Sequence, residues 1–83
     1  MFKLGEELDL RKLEVFFWVA ELKSFSQAAA HLSLRQPTVS VHIQELERAL
    51  GAKVFNRIRG EVTLTALGQL LLGRARSVVA LKQ

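Results

Sequence analysis

Residues 36–51 read QPTVSVHIQELERALG, and this stretch decides the fold. Its apolar stripe recurs at helical spacing: Val39, Ile43, Leu46 and Leu50. Such spacing predicts an amphipathic helix that buries one face. Pro37 suits the first turn, because the N–H that proline lacks has no helical partner there. Gly51 suits a left-handed C-cap that ends the helix.

The face opposite this stripe is nearly neutral and rich in hydrogen-bonding groups. It carries Pro37, Val41, Gln44 and Arg48, with Thr38 and Ser40 on its flanks. A helix fits the major groove of duplex DNA, where Gln, Ser, Thr and Arg side chains read base edges. The outer face is therefore a candidate DNA-reading surface.

Upstream of this stretch, the spacing predicts two further helices. Asp9 can cap the first, whose buried face we assign to Leu10, Leu13, Phe16, Phe17 and Ala20. Trp18 falls off that stripe, so we expect it to be partly exposed or packed on a neighbour. Ser26 can cap a short second helix, with Phe25 and Ala30 as a hydrophobic staple.

Downstream, the period changes from helix to strand. Two short β-prone runs, 54–55 and 62–64, flank Arg57-Ile58-Arg59-Gly60, which predicts a small hairpin with a basic tip. Thr65 can then cap a long C-terminal helix reaching toward Leu81. This helix is apolar on more than one face, so we expect part of it to be buried against a partner.

The composition excludes several classes of protein. At 83 residues, 49% hydrophobic and 24% charged, the chain is typical of one globular domain. It has no cysteine, which rules out disulfide scaffolds, thiolate metal sites and thiol nucleophiles. No apolar run approaches the roughly 18 residues of a membrane span, and no signal-peptide pattern is present. We therefore expect a cytoplasmic protein with no membrane partner.

The net charge of +4 is unevenly distributed. Residues 1–30 carry four basic and five acidic side chains, residues 31–60 five and two, and residues 61–83 three and one. The basic excess begins at the turn before the third helix and continues through the hairpin. Charge alone fits either ordinary surface solvation or a polyanionic partner.

The order of these elements predicts a mainly α fold: a winged helix-turn-helix with a three-helix core, a small β-hairpin wing and a long final helix. This layout suits DNA binding, but three-helix domains also serve as interaction modules, here through the apolar C-terminal helix. An enzyme is disfavoured, because Ser40 and His42 diverge on one helix and neither His31 nor His42 has metal-ligand spacing around it. We predict no catalytic residue, metal or cofactor.

A long series of positions along the chain follows one specific pattern. It runs Leu13-x-x-Phe16-x-x-Val19-Ala20-Glu21-x-x-Ser24-Phe25-Ser26-x-Ala28-Ala29-x-x-Leu32, then Gln36-Pro37-Thr38-Val39-Ser40-x-x-Ile43-x-x-Leu46-Glu47-x-x-Leu50-Gly51, then Val54-Phe55-x-Arg57 and Leu64-Thr65-x-x-Gly68. This pattern resembles the N-terminus of LysR-type transcriptional regulators. The resemblance covers about residues 8 to 82, and the order and spacing of so many positions make it highly specific.

The resemblance implies a bacterial regulator that binds double-stranded DNA sequence-specifically. A recognition helix beginning near Gln36 would lie in the major groove, while Arg57 and Arg59 approach the backbone or the minor groove. With the outer face described above, the candidate DNA-binding residues are Arg35, Gln36, Pro37, Thr38, Ser40, Val41, Gln44, Arg48, Arg57 and Arg59. Residues 1–65 would form the DNA-binding domain.

The resemblance also implies that residues 66–83 form a linker helix that makes homodimers on a pseudo-palindromic site. The candidate dimerisation residues are Leu67, Leu70, Leu71, Val78 and Leu81. Members of this family carry a larger effector-binding domain after this helix. We therefore expect the chain to be part of a longer regulator, with the effector site outside it and higher oligomers open to the full-length protein.

The chain departs from the family pattern at three positions. Arg35 stands where serine is common; it cannot cap the helix, so the cap falls to Gln36 or Ser33, and Arg35 becomes a candidate phosphate contact. Val41 stands where a base-reading arginine is common, and valine offers only apolar contact, for example with a thymine methyl. Arg59 lies one residue earlier than the usual wing-tip arginine.

Overall fold

The computed structural model describes the backbone of residues 10–82 and the side chains of residues 10–80. Within this part of the chain the elements are α1 (Leu10–Leu22), α2 (Phe25–Leu32), α3 (Gln36–Leu50), β1 (Phe55–Ile58), β2 (Glu61–Leu64) and α4 (Ala66–Lys82). This order confirms the predicted winged helix-turn-helix. The predicted cap Asp9 lies outside the described residues.

Helix α1 is the centre of the fold, because α2, α3 and α4 all pack against it. Val15, Phe16 and Val19 are completely buried, whereas Leu10 is 61% exposed. Our assignment of Leu10 to the buried face is wrong. A single apolar stripe describes a helix with one packed side, whereas α1 is packed on several sides and its first residue lies beyond them.

Trp18 lies at the edge of the core, as its position off the stripe predicts. Its side chain is half-buried, and its ring lies 3.9 Å from the His31 ring, centroid to centroid. The two helices α1 and α2 therefore meet through this aromatic contact as well as through the core.

Helix α2 begins two residues earlier than we predict from Ser26. Ser24 is the N-cap: it has extended backbone, and its Oγ accepts a hydrogen bond from the Gln27 N–H at 3.1 Å. The predicted staple is also wrong, because Phe25 is the first helical residue and Ala30 is exposed. The earlier start buries Phe25 in the core.

Helix α3 matches its prediction closely. Val39, Ile43 and Leu46 are buried in the core and Leu50 is partly buried. Pro37 lies in the first turn, and Gly51 ends the helix in the left-handed region at φ 76°. The local sequence thus encodes both ends of α3. The buried stripe then sets which face of the helix packs on the core.

The hairpin pairs β1 with β2 in antiparallel register, with Phe55 opposite Leu64 and Ile58 opposite Glu61. Arg59 and Gly60 form the turn with φ of 53° and 80°, the positive angles of the turns that join tight hairpins. The predicted wing is therefore confirmed, with Arg57 on the strand and Arg59 at the tip.

Thr65 joins the wing to α4, as predicted. Its Oγ1 accepts a hydrogen bond from the Gly68 N–H at 3.0 Å and donates one to the Lys53 carbonyl at 2.8 Å. The Thr65 N–H also donates to the Val54 carbonyl at 3.0 Å. These bonds fix the start of α4 against the residues that precede β1.

Candidate nucleic-acid interface

The outer face of α3 is open to solvent because the opposite stripe holds the helix on α1 and α2. Val41 is 48% exposed, so its apolar side chain lies on this face. Ser40 is half-buried. The other candidate contacts on this face are exposed: Gln36, Pro37, Thr38, Gln44 and Arg48. The structure therefore places all of these side chains on or beside one surface.

The N-terminus of α3 has no side-chain cap. Arg35 occupies the N-cap position, is exposed and makes no capping hydrogen bond. Our alternatives for the cap are both wrong: Gln36 is the first helical residue, and Ser33 ends α2 in the left-handed region. Pro37 has no N–H and the Thr38 N–H donates to the Arg35 carbonyl at 3.0 Å, so the feature that favours an anion there is the positive end of the helix dipole.

The wing is anchored beside α3 by Glu47. One of its carboxylate oxygens accepts the Val54 N–H at 2.8 Å, and the other lies 3.6 Å from the Lys53 Nζ. This ion pair compensates the carboxylate charge of Glu47.

A cleft of about 350 Å³ lies between α3 and β1. Ser40 and Gln44 line it from the helix, and Asn56, Arg57 and Ile58 line it from the strand. Two outer-face candidates and one wing candidate are thus brought to a single surface feature, although they lie far apart in the sequence.

The sequence analysis missed three residues that contribute to this surface. Ile58 is 66% exposed beside the tip of the wing, and alternation along β1 from the buried Phe55 is the signal that could have found it. Asn56 shares that exposed side. Phe25 lies beneath Arg57, with the guanidinium carbon 3.8 Å from the ring centroid, and no local pattern links these two positions.

Within residues 10–80, no carboxylate forms an ion pair with the arginines of this surface. The ion pairs found in the described part of the chain lie elsewhere or at the wing anchor: Arg11–Glu14, Lys12–Glu45, Lys53–Glu47 and Arg76–Glu21. Among the described residues, none of these pairs involves Arg35, Arg48, Arg57 or Arg59, all of which are exposed. The surface can therefore attract a polyanion.

Helix α4 packs mainly on α1, through buried residues that include Leu71, Ala75 and Val79. Leu71 is only 9% exposed because it packs within this chain, and its role as a dimerisation contact stays a prediction. Leu70 is 75% exposed, and Leu67 and Val78 are partly buried. The side chain of Leu81 lies outside the described ones. The apolar surface left on α4 is thus narrower than the sequence predicts.

Other site types find no support in residues 10–82. His31 is exposed and His42 half-buried, and no group of three or more His, Cys, Asp or Glu residues there could hold a metal ion. None of the helices described is both long and apolar enough to cross a bilayer.

Comparison with known proteins agrees with this geometry. Residues 10–69 match the family model of the bacterial regulatory helix-turn-helix protein, lysR family. The chain is 42% identical over 72 residues to the HTH-type transcriptional regulator CfxR of Cupriavidus necator, a match over 87% of this chain and 23% of that protein. The chain spans about a fifth to a third of the length of such curated relatives.

Solved structures show the same similarity. The CbnR_DBD–DNA complex has a TM-score of 0.82 and 34% identity, covering 89% of this chain and 85% of that one. The BenM_DBD/catB site 1 DNA complex has a TM-score of 0.82 and 35% identity, covering 87% of this chain and 81% of that one.

Proposed function

Because the chain belongs to the LysR family of bacterial helix-turn-helix regulators, we propose that it binds double-stranded DNA sequence-specifically as the DNA-binding part of a transcriptional regulator. The observation that carries this proposal is the surface that joins an exposed, hydrogen-bonding helix face to exposed arginines that pair with no carboxylate of residues 10–80. The solved similar structures that contain DNA support it. Its site of action is the cell interior, in the cytoplasm, where bacterial DNA lies.

In this proposal α3 lies in the major groove. Gln36, Thr38, Ser40 and Gln44 supply donors and acceptors for base edges and phosphates, and Pro37 packs at the helix start against the backbone. Val41 offers apolar surface only, which suits a thymine methyl. The preferred DNA sequence therefore differs from that read by relatives with an arginine here.

The four exposed arginines give the electrostatic part of the binding. Arg35 lies at the uncapped start of α3 and Arg48 in its last turn, so that they reach phosphates on the two sides of the groove. Arg57 and Arg59 extend from the wing to the backbone or the minor groove. Such contacts position the protein and read little sequence.

We divide the chain at Thr65: residues 1–65 bind DNA, and residues 66–83 form a linker helix that makes homodimers. The exposed Leu70, flanked by the partly buried Leu67 and Val78, supports this role. A two-fold symmetric dimer reads two half-sites, which predicts a pseudo-palindromic operator. The role is non-enzymatic. Effector binding and higher oligomers would belong to a full-length regulator.

A salt titration tests the proposal. With four phosphate contacts per subunit, log K should fall against log salt with a slope of about −7 for the dimer. Arg48→Ala should reduce this slope by about 1.8 per dimer, since each subunit then releases one counterion fewer. Arg76→Ala is the matched control, because Arg76 pairs with Glu21 away from the surface.

Selection of bound sites from random DNA completes the test. A recovered palindrome supports the proposal, and a flat salt slope contradicts it. Dimers that enrich no DNA sequence would instead identify the chain as an interaction module that associates through α4.

A further inference from the structure

The guanidinium group of Arg57 is held by an aromatic ring. Its central carbon lies 3.8 Å from the centroid of the Phe25 ring, the geometry of a cation–π contact. The Phe25 ring is itself immobilised: it is 6% exposed and packs edge-on against Phe55, with centroids 5.9 Å apart. Arg57 thus rests on a rigid support supplied by α2.

This contact determines where the positive charge of Arg57 lies. Without a support, an exposed arginine on a two-stranded wing samples many rotamers, and binding must immobilise it. Resting on Phe25, the guanidinium is kept beside α3 and away from the tip of the wing, where Arg59 lies. The guanidinium groups of the two wing arginines therefore lie in different places.

Arg57 lines the cleft between α3 and β1. Ser40, Gln44 and Asn56 contribute polar groups there, and Ile58 contributes exposed apolar surface, while Phe25 lies beneath Arg57. A sugar–phosphate backbone has this same combination, a charged phosphate next to an apolar deoxyribose face. The carboxylate of Glu47 at the cleft wall is paired with Lys53 and the Val54 N–H, so its charge is compensated.

We propose that Phe25 is a positioning residue, whose ring holds Arg57 over this cleft so that the guanidinium binds one phosphate of the DNA backbone. The proposal rests on the proposed function and resolves the role of Arg57: it binds the backbone beside the major groove, at a different place from Arg59 at the tip of the wing. Phe25 itself does not contact DNA. It lowers the conformational freedom that Arg57 loses on binding.

The test is a double-mutant cycle with Phe25→Leu and Arg57→Ala, read out as affinity for a selected DNA site. Phe25→Leu keeps apolar volume and removes the ring. Loss of a cation–π support should weaken binding by about two- to fivefold per subunit in the wild-type background. In the Arg57→Ala background, Phe25→Leu should have no further effect, because there is no guanidinium left to position.

Phe16→Leu is the matched control for core loosening. Phe16 is completely buried and packs on Phe55 at 5.2 Å, but it does not support Arg57. Phe16→Leu should lower the melting temperature, as Phe25→Leu does. It should leave the DNA affinity unchanged at a temperature where both variants are folded.

A measurement without DNA separates this proposal from the proposed function. In the free protein, the side-chain N–H resonance of Arg57 should show a ring-current shift that Phe25→Leu abolishes and Phe16→Leu retains. Loss of affinity from Phe25→Leu that is equal in both backgrounds would show a purely structural role and overturn the proposal. An unshifted Arg57 resonance would also overturn it, whereas a shifted resonance with no DNA binding would overturn the proposed function.

Discussion

Gly68 is the position where one added methyl group should disturb the wing most. It lies in the first turn of α4 and is buried. A Cβ there would overlap the carbonyl oxygen of Val54 and would lie 2.9 Å from the Leu64 side chain. The Val54 carbonyl cannot move freely, because it accepts the Thr65 N–H at 3.0 Å. Gly68→Ala therefore forces the helix and the wing apart.

The size of the effect follows from two destabilising contributions and one stabilising contribution. Overpacking against fixed groups costs about 1–3 kcal/mol, and weakening the Thr65–Val54 hydrogen bond costs about 0.5–1.5 kcal/mol more. The higher helix propensity of alanine offsets about 1 kcal/mol of this. We expect Gly68→Ala to lower the free energy of unfolding by about 0.5–3.5 kcal/mol.

Gly73 is the matched control on the same helix, because a Cβ there meets nothing within 4 Å. Gly73→Ala should stabilise by about 0.5–1 kcal/mol through helix propensity alone. About 1 kcal/mol corresponds to about 4–8 °C in the melting temperature of a domain this size. Thermal unfolding at one protein concentration should therefore move in opposite directions for the two variants. Equal stabilisation by both would refute the close approach of α4 to Val54.

Two further predictions concern recognition and assembly. Val41→Ala removes two methyl groups from the outer face of α3. It should weaken DNA binding by about fourfold per lost methyl contact and erase one thymine preference in site selection. An unchanged preference would place Val41 away from the bases. Leu70→Asp puts a charge on the exposed side of α4, so sedimentation should show dimers shifting to monomers, while Gln69→Asp, one residue away, leaves them intact. Dimers that persist in Leu70→Asp would assign dimerisation to another surface.

Local chemistry accounts for the features that were predictable. The sequence in and next to α3 encodes both ends of the helix. Its apolar stripe predicts the helix, the proline marks its start, and the glycine after Leu50 marks its end. The wing follows likewise from two β-prone runs around a turn whose second residue is glycine. Each signal acts between residues close in sequence, so no knowledge of the packed core is needed to interpret it.

The start of α2 shows the limit of local signals. Ser24 and Ser26 are both capable caps, and their local chemistry does not separate them. The packed structure selects Ser24, because a helix that begins at Phe25 places that side chain, Ala28 and Ala29 in the core. The choice is thus made by burial of apolar surface, to which distant parts of the chain contribute.

When a helix is apolar on several sides, tertiary packing decides which side is buried. The sequence by itself determined that α4 is a long apolar helix and that α3 presents a polar outer face. Only the packed structure decided that Leu71 faces inward and Leu70 outward, because α1 occupies one side of α4. The same holds for Arg57 and Phe25: their contact exists because β1 and α2 meet in space, which no sequence periodicity encodes.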